Sequence, residues 1–384
     1  MISKEVKVKT PSTTSLLSAI ELIHKLYNRH RKIEPQEGGR VKPQKWAQEK
    51  RTLGTTAGGS TYMITLPKAW IEGFSIKKGE ELTLNLVGLG IYLGLDKKAN
   101  SPAAATTKLK LGPDLQGEVL GRTLISRYIA GYNVIEVEGS VSSEQRKDLR
   151  RTAARLIGAE ILQETSQNVL IHILRDPQVL SVEQLLEYID DNVMGMVDDA
   201  LKSLLTGNLD QAIGVVQRDE RVDRFFLLMT RRLYAALHNP LAEVEHKISR
   251  VDFYNTHNVA RQLERVADHA VRIAQATQAL IEEQHPVPGK IEKLLKQAGE
   301  GVKELIEKVM EAFVQLNSQQ AHQTLASVPK LAQLLEDMDR QLLELEDSHL
   351  AYHLGIVSDS INRIKDYAVN VAEVTLNAVA LQVQ

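Results

Sequence analysis

Asp219 and Asp223 (DERVD) lie four residues apart, and Glu264 and Asp268 (ERVAD) repeat that spacing further along the chain. On a helix, residues four apart sit one turn from each other on the same face. Antiparallel packing of the two segments would bring four carboxylates together. Like charges held that close repel one another unless a cation neutralises them. An all-oxygen donor set suits hard divalent or trivalent ions, so the spacing points to a multinuclear iron, manganese, magnesium or zinc site. The same spacing also fits a solvated helix face, with Arg218, Arg221, Arg224, Arg261 and Arg265 as counter-charges. His257 and His269 lie nearby and read as hydrogen-bonded structural residues.

A second set is basic. Lys45, Lys50 and Arg51 fall in the first of a run of short strands, Lys68 opens a helical turn, and Lys77 and Lys78 form a tight turn before the third strand. Doubled by a two-fold axis, these side chains would make a continuous positive surface suited to phosphate backbones. Trp70, on the helical turn, reads as core and not as a base-stacking platform. There is no Walker loop, nucleophile elbow, HExxH or ordered Ser/His/Asp set, so the expectation is a protein that binds and does not catalyse.

Several elements must position these groups. The 384-residue chain has no cysteine, which removes disulfides, thiolate nucleophiles, zinc ribbons and iron–sulfur clusters together. No run approaches the ~20 uncharged apolar residues of a membrane span. The N-terminus lacks signal-peptide chemistry, so no membrane insertion and a cytoplasmic location are expected. Charge is unevenly placed: residues 1–51 hold 12 Lys and Arg against 5 Asp and Glu, whereas residues 181–384 hold 20 against 31. A basic front and an acidic back predict different partners for the two ends.

Five segments follow. Residues 1–45 are a basic extension, with a short helix over 11–32 and then a Pro/Gly linker. Residues 46–97 alternate with period two, in four short strands and one helical turn at 68–73. So small a unit buries little apolar surface alone, which predicts a homodimer. Residues 106–176 alternate helix and strand as an α+β connecting domain: a helix near 114–130 closed by Gly131, a helix capped at Ser142 or Ser143 and stopped by Gly158, and strands YNVIEVEG, AEILQE and NVLIHIL. Residues 181–285 and 288–384 are helical, three helices each, divided at PVPG. The third helix of each set carries a related sequence, LERVADHAVRIAQ (263–275) and INRIKDYAVNVAE (361–373). Arg265 and Arg363, Asp268 and Asp366, and the Ala-Val pairs align without gaps, which reads as duplication. Asn362 stands where Glu264 aligns, so the second copy keeps only Asp366 of the acid pair.

GGSTYMITLPKAWIEGFSIKKGEELTLNL (58–86) closely resembles the SpoVT/AbrB-type DNA-binding domain, with its Gly-Gly-Ser-x-Tyr, Leu-Pro-Lys-x-Trp and Lys-Lys-Gly-Asp/Glu elements. That resemblance implies a swapped-hairpin β-barrel dimer in which Arg51, Lys68, Lys77, Lys78 and Lys50 contact DNA. The duplicated helices resemble PhoU, the phosphate-uptake regulator: LERVADHAVRIAQ looks like its ERIGDHAVNIAE signature, and DERVD like its upstream acidic motif. It implies multinuclear metal binding through Asp219, Asp223, Glu264 and Asp268. The fusion is similar to AbrB–PhoU proteins of archaea.

The expected architecture is therefore multidomain: a small swapped-hairpin β-barrel, an α+β linker domain, and an all-α, two-repeat PhoU-like bundle. The expected function is a homodimeric transcriptional regulator of phosphate uptake that binds a pseudo-palindromic DNA operator and senses through its bundle. The rival expectation is an adaptor that regulates a phosphate transporter ATPase or a sensor kinase by protein contact, with the barrel serving only to dimerise.

Overall fold

The computed structural model describes residues 50–55, 62–73, 76–87, 90–95, 105–112, 114–174, 180–239, 242–243 and 248–382. The basic extension at 1–45, with its expected helix and Lys45, lies outside the described residues. The chain forms two units, Met1–Lys78 and Gly79–Gln384.

In the first unit, β1 (Gly54–Thr55) pairs antiparallel with β2 (Tyr62–Met63), Gly54 opposite Met63 and Thr55 opposite Tyr62. Helix α1 (Lys68–Gly73) begins directly after Pro67, whose fixed φ suits a helix entry. The first strand expected through Lys50 and Arg51 is corrected here. Among the described residues the ladder comprises two residue pairs, Gly54 with Met63 and Thr55 with Tyr62, and Lys50 and Arg51 precede it. A strand exists only where a neighbour answers its N–H and C=O groups, and the pairing register ends at Gly54.

The second unit begins with a hairpin, β3 (Leu82–Val87) on β4 (Gly90–Leu95), in the register Leu84 with Leu93 and Leu86 with Ile91. Period two places these leucines and Ile91 on one face. Ahead of it, Gly79 at φ 86° makes the turn after Lys78, a conformation that side chains with a Cβ avoid.

The α+β domain follows as β5 (Thr106–Lys110), α2 (Gly117–Ile129), β6 (Val134–Glu138), α3 (Ser143–Ala154), β7 (Ala159–Glu164) and β8 (Asn168–Ile173). Its sheet order is β5-β6-β8-β7, with β5 parallel to β6 across the α2 crossover. Strand β5 was not anticipated: TTKLK is short and its pairing partner lies beyond an intervening helix. Ser142 and Gln145 form a reciprocal capping box at the head of α3. Leu120, Leu124, Tyr128, Ile135, Leu149 and Ile171 are the centre of this domain's core.

Six long helices complete the unit: α4 (Val182–Thr206), α5 (Leu209–His238), α6 (Arg250–Glu282), α7 (Gly289–Val314), α8 (Ser318–Leu343) and α9 (Ser348–Gln382). They fall where the three-and-four apolar spacing places them, in two sets of three. Each apolar stripe is buried in a shared core containing Val193, Met196, Val215, Leu263, Val309 and Ile361. Pro329 lies inside α8 instead of ending it; it removes one backbone donor, while Leu331 and Leu335 stay buried and hold the helix in place. The duplicated helices α6 and α9 pack on each other. Arg272 reaches Asp359 at 3.5 Å, Asn370 donates to Gln262 at 3.0 Å, and the aligned pair His269 and Tyr367 meet with ring centroids 5.7 Å apart. No helix among the described residues is long and apolar enough to cross a membrane.

Candidate functional site

The four carboxylates act on one another. Asp219 and Asp223 lie one turn apart on α5, while Glu264 and Asp268 do so on the adjacent α6. Burial, followed by the negative charge of Asp223 and Asp268, pushes Asp219 up to about 6. Burial, then Asp268 and Asp223, pushes Glu264 up to about 7. Asp268, the most exposed of the four, is raised by partial desolvation and by Asp223. The four residues singled out from spacing thus lie on neighbouring helices near enough to raise one another's pKa, and the face carries excess negative charge.

The cation that reaches this face comes from elsewhere in the chain. Arg155, the C-cap residue of α3, donates to the Asp223 carboxylate at 2.6 Å. Of the arginines considered from the sequence as counter-charges, Arg218 pairs instead with Asp199 on α4. Arg265 lies over the Tyr367 ring at 5.6 Å. Arg261 and Arg265 act on Glu264 through their charge.

In its oxygen-only chemistry and surplus negative charge, the donor set fits a hard cation. Its positions are a different matter: among the described residues, no three His, Asp or Glu side chains converge as a group able to hold an ion. In the second repeat, Asp366 faces Lys365 at 3.1 Å and Arg363 at 4.0 Å, as an ordinary surface ion pair does.

The raised carboxyls make stability pH-dependent. An unfolded Asp or Glu titrates near pH 4, so between about pH 4 and 7 the unfolded chain releases protons that the folded face keeps. Stability from this face is therefore greatest below about pH 4 and falls as pH rises towards 7. Glu264→Gln removes the penalty. Because the face is partly solvated, the expected gain is about 1 kcal/mol at pH 8, shrinking towards zero at pH 4. Denaturant titration at the two pH values checks it, and an equal gain at both contradicts it.

Of the two nearby histidines, His257 makes the hydrogen bond expected of it, whereas the buried Nδ1 of His269 has no hydrogen-bond partner among the described residues. His257 lies 2.9 Å from the Thr230 hydroxyl and stacks on Phe226; burial, and secondly Arg261, holds it down at about 4. His269 is buried against Tyr367 and is likewise lowered, chiefly by burial.

The sequence reading missed three groups. One is Arg155. Another is Arg231, buried on α5, whose guanidinium donates to the carbonyls of Tyr128, Tyr132 (3.0 Å) and Gly131 (3.4 Å) and to Asn133 Oδ1 (2.5 Å). The third surrounds Glu283, whose carboxylate lies 3.6 Å from His285 and 3.8 Å from both His349 and His353, with His285 also 3.0 Å from Asp347. That cluster ties the α6–α7 connection to the head of α9. The available signal for Arg231 was its place on α5, two turns after Asp223 on the same stripe.

The basic residues of the front module are exposed. Lys50 and Arg51 precede β1, Lys68 opens α1 and faces Glu72 at 3.5 Å, and Lys77 and Lys78 lead into the turn at Gly79. On the hairpin, Leu84, Leu86 and Ile91 are 67%, 77% and 68% exposed.

Residues 187–277 and 295–375 match the model of the PhoU domain, and residues 55–100 match that of antidote-toxin recognition MazE, bacterial antitoxin. No curated protein matches the chain. Among solved structures, PhoU from Pseudomonas aeruginosa is similar over 51% of this chain and 93% of its own, with 20% identity and a TM-score of 0.45. The phosphate transport system regulatory protein PhoU from Streptococcus pneumoniae is similar over 51% and 91%, with 18% identity and a TM-score of 0.43.

Proposed function

From a chain that carries two PhoU domains behind a MazE/AbrB-type module, we propose a homodimeric, DNA-binding transcriptional regulator of phosphate uptake. The PhoU domains point to regulation of phosphate homeostasis. The joining of such a bundle to a module whose exposed cations suit a phosphate backbone is the observation that carries the DNA-binding reading. Dimerisation completes it: the apolar face of β3 and β4 is covered by the same face of a second copy, because a two-stranded hairpin with exposed leucines is not independently stable in water. No bond is made or broken; the activity is a binding equilibrium biased by the state of the bundle. A divalent or trivalent cation held by Asp219, Asp223, Glu264 and Asp268 would supply one such bias, by neutralising their mutual repulsion.

Gel shifts across regions upstream of phosphate-transport genes test the proposal. We expect binding to a pseudo-palindromic site, with log affinity falling against log salt by about 0.9 for each phosphate neutralised. Arg51→Ala with Lys68→Ala should weaken binding at least about tenfold and flatten that slope, with the dimer intact. Regulation unchanged by this double variant would instead favour the adaptor, which works through protein contact.

A further inference from the structure

Glu283, the C-cap residue of α6, is ringed by imidazoles from the second repeat and from the chain that joins the two repeats. Its carboxylate lies 3.6 Å from His285 Nε2 in the α6–α7 connection, and 3.8 Å from both His349 Nδ1 and His353 Nε2 at the head of α9. Those three rings are its ion-pair partners among the described residues. His285 also turns its Nδ1 to Asp347 at 3.0 Å. A neutral imidazole carries one N–H and can serve one carboxylate; serving both requires the imidazolium. The His353 side chain is only 15% exposed, and its Nδ1 is buried with no hydrogen-bond partner among the described residues.

The surroundings favour charge on His285. Its N–H donates to the Leu280 carbonyl at 2.9 Å, just past the end of α6, where free carbonyls attract a cation. His349 and His353 stand in the first two turns of α9, where the helix dipole opposes a cation. Asp347 offsets that, accepting from the N–H of His349 at 3.0 Å and of Leu350 at 3.1 Å. The Leu350 N–H, and then the charge of His285, hold Asp347 below the usual carboxylate range. From α7, Glu292 lines a cleft that His285 shares; α4 adds Leu204, Leu205 and Gly207 there, none of them titratable. At the end of α8, Arg340 pairs with Glu336 and Asp337, while Glu344 and Glu346 are exposed.

We propose that proton uptake by His285, supported by His349 and His353, draws the end of α6 and the head of α9 together. The seam between the two repeats is then a clasp that tightens as pH falls through the range in which histidine titrates. Gaps of 3.6 to 3.8 Å exceed a hydrogen bond, so the cluster has room to close. The sign follows from linkage: a histidine that gains a carboxylate on folding adds stability while charged and loses it as pH rises. Below about pH 4 carboxylates are themselves neutralised, and the clasp slackens again. The device belongs to one seam only. Continuing the ungapped alignment of α6 with α9, Val251, Asn255 and Leu381 stand where the other copy has His349, His353 and Glu283.

Amide hydrogen exchange on the full-length chain, corrected for the intrinsic pH dependence of exchange, provides the test. In residues 281–288 and 346–356, opening should be about fivefold rarer at about pH 5.5 than at about pH 8. Glu283→Gln keeps the shape but not the charge, and should bring that ratio below about twofold. His285→Asn should do the same. The acidic face on α5 and α6 also loses stability with rising pH, but both variants leave it intact, so the difference between variant and unaltered chain reports the clasp alone. Equal corrected protection at the two pH values in the unaltered chain overturns the proposal. So does a pH ratio that survives either substitution, since the histidines would then be packing groups whose charge does no work.

Discussion

Arg231→Met should cost about 3 kcal/mol and loosen the α+β domain as a whole. The guanidinium is buried and serves several acceptors at once: three carbonyls in the 128–132 turn and the Asn133 side chain. It also lies 4.9 Å over the Tyr128 ring. The three backbone carbonyls losing a charged donor at about 1 kcal/mol each give the estimate, with the Asn133 side chain left out of the sum because it can rotate to another partner. Methionine fills much of the volume, so the loss reports hydrogen bonding and not a cavity. Lysine offers a single ammonium where the fork of Arg231 spans two sides of the turn, and Arg231→Lys should keep less than half of the stability. Thermal unfolding with a probe in the α+β domain checks this. A melting point unchanged within a degree would show that Leu227, packed into the α+β core, and Ile157, packed against the bundle core, hold the domain without the arginine.

The second large effect is expected on the hairpin. Leu86→Asp places a charge in the middle of an apolar face that also holds Leu84 and Ile91. If that face is covered by a second copy, the two-fold axis counts the change twice. Each buried leucine contributes about 2 kcal/mol of transfer energy, so the dimer should weaken at least about a hundredfold. Sedimentation would show monomers at micromolar concentration, and operator binding should disappear with the dimer, since the half-sites are no longer linked. A variant that remains dimeric and binds DNA would place the dimer contact elsewhere. Lys68 and Arg51 remain in such a monomer, so this variant separates loss of pairing from loss of charge.

The helical half was legible because its information is local. Apolar residues at three and four place all six helices α4 to α9, most ends to within about two residues, although α6 starts at Arg250 and not at 244, and α8 ends at Leu343 and not at 347. Gly207 at φ 65° closes α4, and Gly131 and Gly158 take the positive φ that their places after α2 and α3 require. The repeat in α6 and α9 was visible as aligned residues. Placing Asp219 and Asp223 opposite Glu264 and Asp268 on neighbouring helices needed only helix periodicity and antiparallel packing; how closely their side chains approach was not legible. Other features were not legible. Lys50 and Arg51 read as strand because alternation suggests one, yet pairing stops at Gly54. Strand β5 was hidden because five residues carry little pattern and its partner is β6, across a helix.

What the amino-acid order settles by itself is the set of elements, their repeat, and which residue types share a helix face, because helix and strand periods are properties of neighbouring residues. Tertiary structure alone decides what neutralises the acidic face and what fastens the α+β domain. Arg155 meets Asp223 across 68 positions, and Arg231 meets the end of α2 across about a hundred. No local period encodes such distances. They arise when two separately cored domains dock, and docking selects which of many arginines has a carboxylate or a helix end within reach.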